Sequence, residues 1–173
     1  MPDTPPQRRL IEPTIIDVEA SGFGPNSYPI EIGIALPDGG KYCTLISPPA
    51  EWDHWDETAE AVHHIPRAVL FTNGKQIKDV VSELNERLRG MTIYTDGWVV
   101  DYPWIRKLFA QCGLEPSFHV SPLEMVLSED QMERWHATKD DILRELKFTR
   151  HRASNDAVLI QKTWLATRMP MPV

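Results

Sequence analysis

Thr14-Ile15-Ile16-Asp17-Val18-Glu19 is the stretch that decides how the chain folds. Its β-branched residues favour an extended strand. On a strand, Asp17 and Glu19 project from the same face, because side chains alternate with period two. Ser21 to Pro29 follows with two glycines and two prolines and reads as a loop. Ile30 to Leu36 is apolar enough for a buried strand. Asp38-Gly39-Gly40 is a strong hairpin turn, and Lys41 to Ser47 returns as a third strand. Three successive strands, the last two joined by a tight turn, form an antiparallel meander.

Beyond residue 57 the apolar period changes to that of helices. Residues 58–64 predict a short helix that ends before Pro66. Gly74 to Arg89 predicts a longer one, with Ile77, Val80, Val81, Leu84 and Leu88 on one stripe and Gly90 at the exit. Thr92 to Thr95 is a short strand. A helix over Val99 to Cys112 closes at Gly113, and residues 117–121 supply a fifth strand. Two helical stretches are expected within 128–147, and a last helix from Ala153 to Arg168. The order βββ-α-β-α-β-α makes the later strands parallel to the first. The expected class is therefore α/β: a mixed five-stranded sheet, three strands antiparallel and then two parallel, flanked by helices. Residues 1–12 are Pro-rich and read as a flexible arm, and residues 13–173 as a single domain without internal repeats.

Composition narrows the function classes. The chain has 173 residues, 42% apolar and 25% charged, which excludes wholesale disorder. No apolar run approaches the roughly 18 residues of a membrane span, so no membrane partner is expected. The opening MPDTPPQRRL has no apolar h-region, so no secretory signal is expected. Cys43 and Cys112 have neither metal-ligand nor redox spacing. The expected location is the reducing cytoplasm. The net charge of −7 argues against broad nucleic-acid binding, which normally needs basic excess. The charge is uneven, however: from Arg134 onward eight basic residues meet four acidic ones.

Three segments carry chemistry. Asp17 and Glu19 leave a strand whose other residues are core-like. Carboxylates in such company repel unless paired or bound to a hard cation such as Mg²⁺; the plainer reading is a strand end with two solvated acids. His151-Arg-Ala-Ser-Asn-Asp156 stands where a basic loop meets the last helix. A neutral imidazole there suits proton abstraction from water, against the plainer reading of a surface His and a helix-start Asp. Tyr94-Thr-Asp96-Gly-Trp-Val-Val-Asp101 offers a further acid. Either aspartate qualifies, with Asp101 favoured because Asp96-Gly97 looks like turn or cap chemistry. His54, His63 and His64 do not match a standard zinc spacing.

Together the segments resemble the DEDDh, or DnaQ-like, 3′→5′ exonucleases. Ile16-Asp17-Val18-Glu19-Ala20-Ser21-Gly22-Phe23 resembles the first motif, Asp101 with Tyr-Pro-Trp-Ile the second, and His151-Arg-Ala-Ser-Asn-Asp156-Ala the third. Pro29-Ile-Glu-Ile-Gly-Ile-Ala resembles the strand after the first motif. Ala61-Val-His63-His64-Ile65 resembles a helix between the first two, where Gly is usual at the position of His64. Thr95-Asp96-Gly97 stands where the family often has a His-Asn pair. The resemblance spans residues 14–165.

It implies an RNase H-like fold and an exonuclease domain. It also implies two Mg²⁺ or Mn²⁺ ions held by Asp17, Glu19, Asp101 and Asp156, with His151 as general base. Ala20, Ser21, Gly22 and Phe23 would meet the terminal nucleotide, with Phe23 either stacking on a base or serving as a core or loop anchor. Apart from the resemblance, Arg150 and Arg152, crowded with Arg144 and Lys147 near His151, form a basic patch that either guides phosphates or is a solvated helix face. Short single-stranded DNA or RNA with a free 3′ end is the expected partner, without a choice between the two. Homodimers occur in the family, though no apolar stripe here demands one. The rival reading is a non-catalytic RNase H-like module that binds a polymerase or another protein.

Overall fold

The computed structural model describes residues 11–146 and 149–168; the greater part of the expected N-terminal arm and Lys147 lie outside them. β1 (Ile15–Ala20), β2 (Pro29–Ala35) and β3 (Lys41–Leu45) form the antiparallel meander, and β4 (Thr92–Thr95) and β5 (His119–Pro122) add in parallel. The sheet order is β3-β2-β1-β4-β5, so β1 is central, antiparallel to one neighbour and parallel to the other. The helices are α1 (Glu57–His63), α2 (Arg67–Asn73), α3 (Ile77–Arg87), α4 (Trp98–Ala110), α5 (Glu129–Leu146) and α6 (Ala153–Arg168). A mixed five-stranded sheet flanked by six helices is the RNase H-like architecture that the sequence predicts.

Strand alternation sorts the core into two sides. Ile16 and Val18 face α3 and α4, where Val80, Val81, Leu84, Ile105, Leu108 and Phe109 are buried. Ile15 and Ala35 face α6, whose stripe Ala157, Ile160 and Trp164 packs there with Trp135 of α5. Asp17 and Glu19 share this second face with Ile15, opposite Gly33 and Glu31 of β2. The register shifts between Glu19 and Ala20, and such an irregularity bends the strand just where the loop leaves it.

Some elements differ from the sequence reading. The region 129–146 is one continuous helix, not two. The helix expected from Gly74 starts at Ile77, because Gly74 closes α2 and Lys75 bridges to Ile46. α2 itself has no readable stripe, since Leu70 is its one buried residue. Pro103 lies in the second turn of α4, where its missing N–H removes the usual i+4 donor of the Val99 carbonyl; Val99 is exposed, so water can reach that oxygen. His64 ends α1 with a left-handed backbone, φ 57°, a conformation that Gly adopts most freely.

Gly33 sets how closely α6 approaches the sheet. A Cβ at this position would fall 2.0 Å from the Ser154 nitrogen and 2.1 Å from the Ala153 carbonyl carbon. Backbone cannot yield as a flexible side chain can. Gly33→Ala is therefore expected to cost about 3 kcal/mol, lowering Tm by roughly 6–12 °C. A thermal melt that leaves Tm unchanged contradicts this packing of α6 on β2.

Candidate active site

β1 and β4 are parallel neighbours with Ile15 paired to Tyr94, so β4 ends alongside the first half of β1 and the turn that follows it opens onto Asp17. Clefts at such a switch in sheet direction are where α/β folds bind ligands. Asp17 and Glu19 are the half-buried residues of an otherwise buried β1. Asp101 enters from the first turn of α4 and is only 3% exposed. The Thr95 hydroxyl donates to Asp101 Oδ2 and accepts from the Gly97 N–H at 2.9 Å, so the β4–α4 turn fixes the carboxylate. Asp156 comes from the first turn of α6, nearly buried, and its Oδ2 accepts the His151 N–H at 2.7 Å. That bond closes a loop in which His151 has a left-handed backbone, φ 61°, a strained conformation for a residue with a Cβ.

The five residues singled out by the sequence line one cleft of about 530 Å³. Ligand atoms of Glu19, His151 and Asp156 lie within 4.8 Å of one another and could hold a metal ion. The carboxylates are poorly compensated. Burial raises Asp17 well above its ordinary range, reinforced by Asp101, Glu19, Asp156 and Asp96. Burial, then Asp156 and Glu31, pushes Glu19 to about 8. Burial pushes Asp101 to about 7, against the lowering effect of the Thr95 hydrogen bond. An oxygen-rich donor set with one imidazole, starved of positive charge, fits a hard divalent cation.

Asp96 also lines the cleft but is engaged with Lys139 at 3.0 Å. Of the expected nucleotide contacts, Ala20, Gly22 and Phe23 line the cleft, and Phe23 is 74% exposed. Ser21 is fully buried instead. Its hydroxyl meets His54 Nδ1 at 3.0 Å and accepts the Tyr28 N–H at 3.1 Å. The tryptophan-rich segment 51–56 thus braces the loop after β1, with Trp52 stacked on Tyr28 at 5.3 Å and Asp56 capping α1. Arg150 reaches the cleft, with Nε 3.5 Å from Asp156. Arg152 turns away and grips Glu31. Arg144 pairs with Asp141 on the exposed side of α5.

Lys139 and His63 also line the cleft, and the sequence reading gave neither a role there. Lys139 is one charge on an amphipathic helix and carries no local signal. His63 is buried, accepts the Ile65 N–H on Nδ1 at 3.0 Å, and has no partner for Nε2 among the described residues. Burial lowers its pKa and favours the neutral ring. Its signal was the resemblance of Val62-His63 to the family's intermediate helix.

No family model and no curated protein matches the sequence. Solved structures do match. The fold is similar to that of part of Exonuclease I. The Escherichia coli enzyme in complex with a dA16 oligonucleotide superposes with a TM-score of 0.67 at 12% identity, over 92% of this chain and 42% of that one. Its zinc-bound complex with single-stranded DNA gives 0.67 at 13% identity, over 92% and 42%. Exonuclease I from Methylocaldum szegediense gives 0.59 at 10% identity, over 91% and 41%. The chain thus spans about two-fifths of the length of these structures, and the likeness is one of fold.

Raised carboxyl pKa values make a testable statement about stability. The folded chain without metal holds protons that the unfolded chain has released, so its stability falls as pH rises from the ordinary carboxylate range to about 8. Melting after EDTA treatment should show Tm declining between roughly pH 5 and pH 8, with Mn²⁺ or Mg²⁺ restoring more at the upper end. A flat profile without any response to cations contradicts the assignment.

Proposed function

We propose that the chain is a metal-dependent 3′→5′ exonuclease of the DEDDh type, acting on short or frayed single strands. The observation that carries the reading is the meeting, in one cleft, of the five residues that three separate sequence motifs pick out. The fold likeness to Exonuclease I solved with oligonucleotides supports a single-stranded DNA substrate.

Asp17, Glu19, Asp101 and Asp156 would hold two divalent cations, Mg²⁺ or Mn²⁺. Cations held there would supply stabilisation of charge on the attacking and leaving oxygens of a phosphodiester. The chain's own residues do the rest. His151 takes the proton of the attacking water. Thr95 keeps Asp101 aimed into the cleft. Phe23 offers an exposed ring on which a base can stack, and Arg150 a guanidinium for a phosphate. Hydrolysis in the cleft releases nucleoside 5′-monophosphates one at a time.

Mononucleotide release from a 3′-labelled single strand with Mn²⁺ tests this, beside a 5′-labelled control and matched RNA. Early label loss from the 3′ end alone is expected. Asp17→Ala and Asp101→Asn should abolish it, while Asp96→Asn should retain it. His151→Ala should slow it about 10²–10⁴-fold, with the cation-dependent rise in Tm preserved. Inactivity of the wild-type chain on both DNA and RNA would sink the enzyme reading in favour of a binding module. Loss in Asp96→Asn but not Asp101→Asn would move the metal ligand to Asp96.

A further inference from the structure

Glu31 lies in the middle of β2 and is completely buried, although isoleucines flank it on both sides. It stands directly opposite Glu19 across the strand pair. Two like charges so placed oppose pairing, and a buried charge is rarely the most stable choice for such a position. The carboxylate is nevertheless well provided with donors. Arg152 Nη2 donates to Oε1 at 2.6 Å, and Nε lies 3.1 Å and 3.2 Å from the two oxygens. The Ala153 N–H, at the first residue of α6, donates to Oε2 at 2.9 Å, and the Cys43 thiol lies 3.3 Å from Oε1. A free backbone donor at a helix start is thereby satisfied from the sheet, not from a neighbouring residue. Beside it, the absence of a Cβ at Gly33 allows the same backbone to approach.

We infer that Glu31 is a positioning residue for the proposed active site: by gripping Arg152 and Ala153 it sets where His151 and Asp156 stand. The inference rests on the hydrolytic reading above. His151 immediately precedes the gripped pair and Asp156 follows one turn later. The left-handed backbone of His151 persists only while both sides of it are held, by Asp156 within the loop and by Glu31 from the sheet. Arg152 therefore serves the site from behind and does not guide phosphate.

The test compares wild type with Glu31→Gln and Arg152→Lys, measuring Mn²⁺ binding by titration calorimetry and steady-state cleavage of a single-stranded oligonucleotide. Glu31→Gln should bind Mn²⁺ about 10–100-fold more weakly and lose kcat by a similar factor, with KM held within about twofold. Arg152→Lys, which keeps the charge but loses the planar fork, should fall between. If Glu31→Gln does not fold, Arg152→Lys carries the same measurement on a side chain that is partly exposed. Wild-type Mn²⁺ affinity and kcat in both folded variants would overturn the inference. So would a rise in KM alone in Arg152→Lys, which would return Arg152 to the substrate. A wild-type chain that neither binds Mn²⁺ nor cleaves overturns the hydrolytic reading instead.

Discussion

Burial of Asp17, Glu19 and Asp101 beside Asp156 in one cleft disfavours the ionised carboxylates of those three, and the candidate site depends on that constraint. Three pieces of chain supply the four groups: the end of β1, the first turn of α4 and the first turn of α6. Each is anchored by apolar packing a few residues away. Ile16 and Val18 fix β1 to one core, Ile105 and Leu108 fix α4 to the same core, and Ala157 and Ile160 fix α6 to the other. The burial that secures these elements is also what lifts Glu19 to about 8 and Asp101 to about 7. Folding thus creates a demand for positive charge that Arg150 and Lys139, at the margins of the cleft, do not meet. A divalent cation would meet it, and on the proposed function the same cation would serve phosphodiester hydrolysis.

This view resolves the charge balance. An acidic chain, net −7, is an unpromising binder of long polyanions. Much of the acidity that matters is gathered into one cleft, where two divalent ions would reverse its effect on a phosphate. What remains basic near the site is local, at Arg150 and Lys139. On the proposed function, such a distribution suits contact with a few nucleotides at a strand end better than with a long tract of duplex.

The parts of the site legible in the sequence are those governed by local periodicity. Asp17 and Glu19 share a face because a strand repeats every two residues. Asp156 lies one turn into a helix whose stripe of Ala153, Ala157, Ile160 and Trp164 is plain in the residues. The meander was equally legible, since Asp38-Gly39-Gly40 can hardly be anything but a turn. The illegible parts depend on contacts between segments far apart in the chain. Glu31 reads as an anomaly in an apolar strand until Arg152, 121 residues later, is seen to grip it. Lys139 gains meaning only when α5 crosses the cleft. Ser21 matched a nucleotide-contact position by motif, yet its hydroxyl is taken by His54 and Tyr28. α2 left no trace because seven residues with one buried side chain produce no stripe.

The central claim is that the four carboxylates form a cation site. Anomalous diffraction from crystals soaked in Mn²⁺ tests it most directly. The account predicts anomalous density in the cleft, with oxygens of Asp17, Glu19, Asp101 and Asp156 at roughly 2.0–2.6 Å, the range of hard divalent cations with oxygen ligands. A cleft that stays free of anomalous density at saturating Mn²⁺, with Asp17 and Glu19 protonated and hydrogen-bonded to their neighbours, would contradict it.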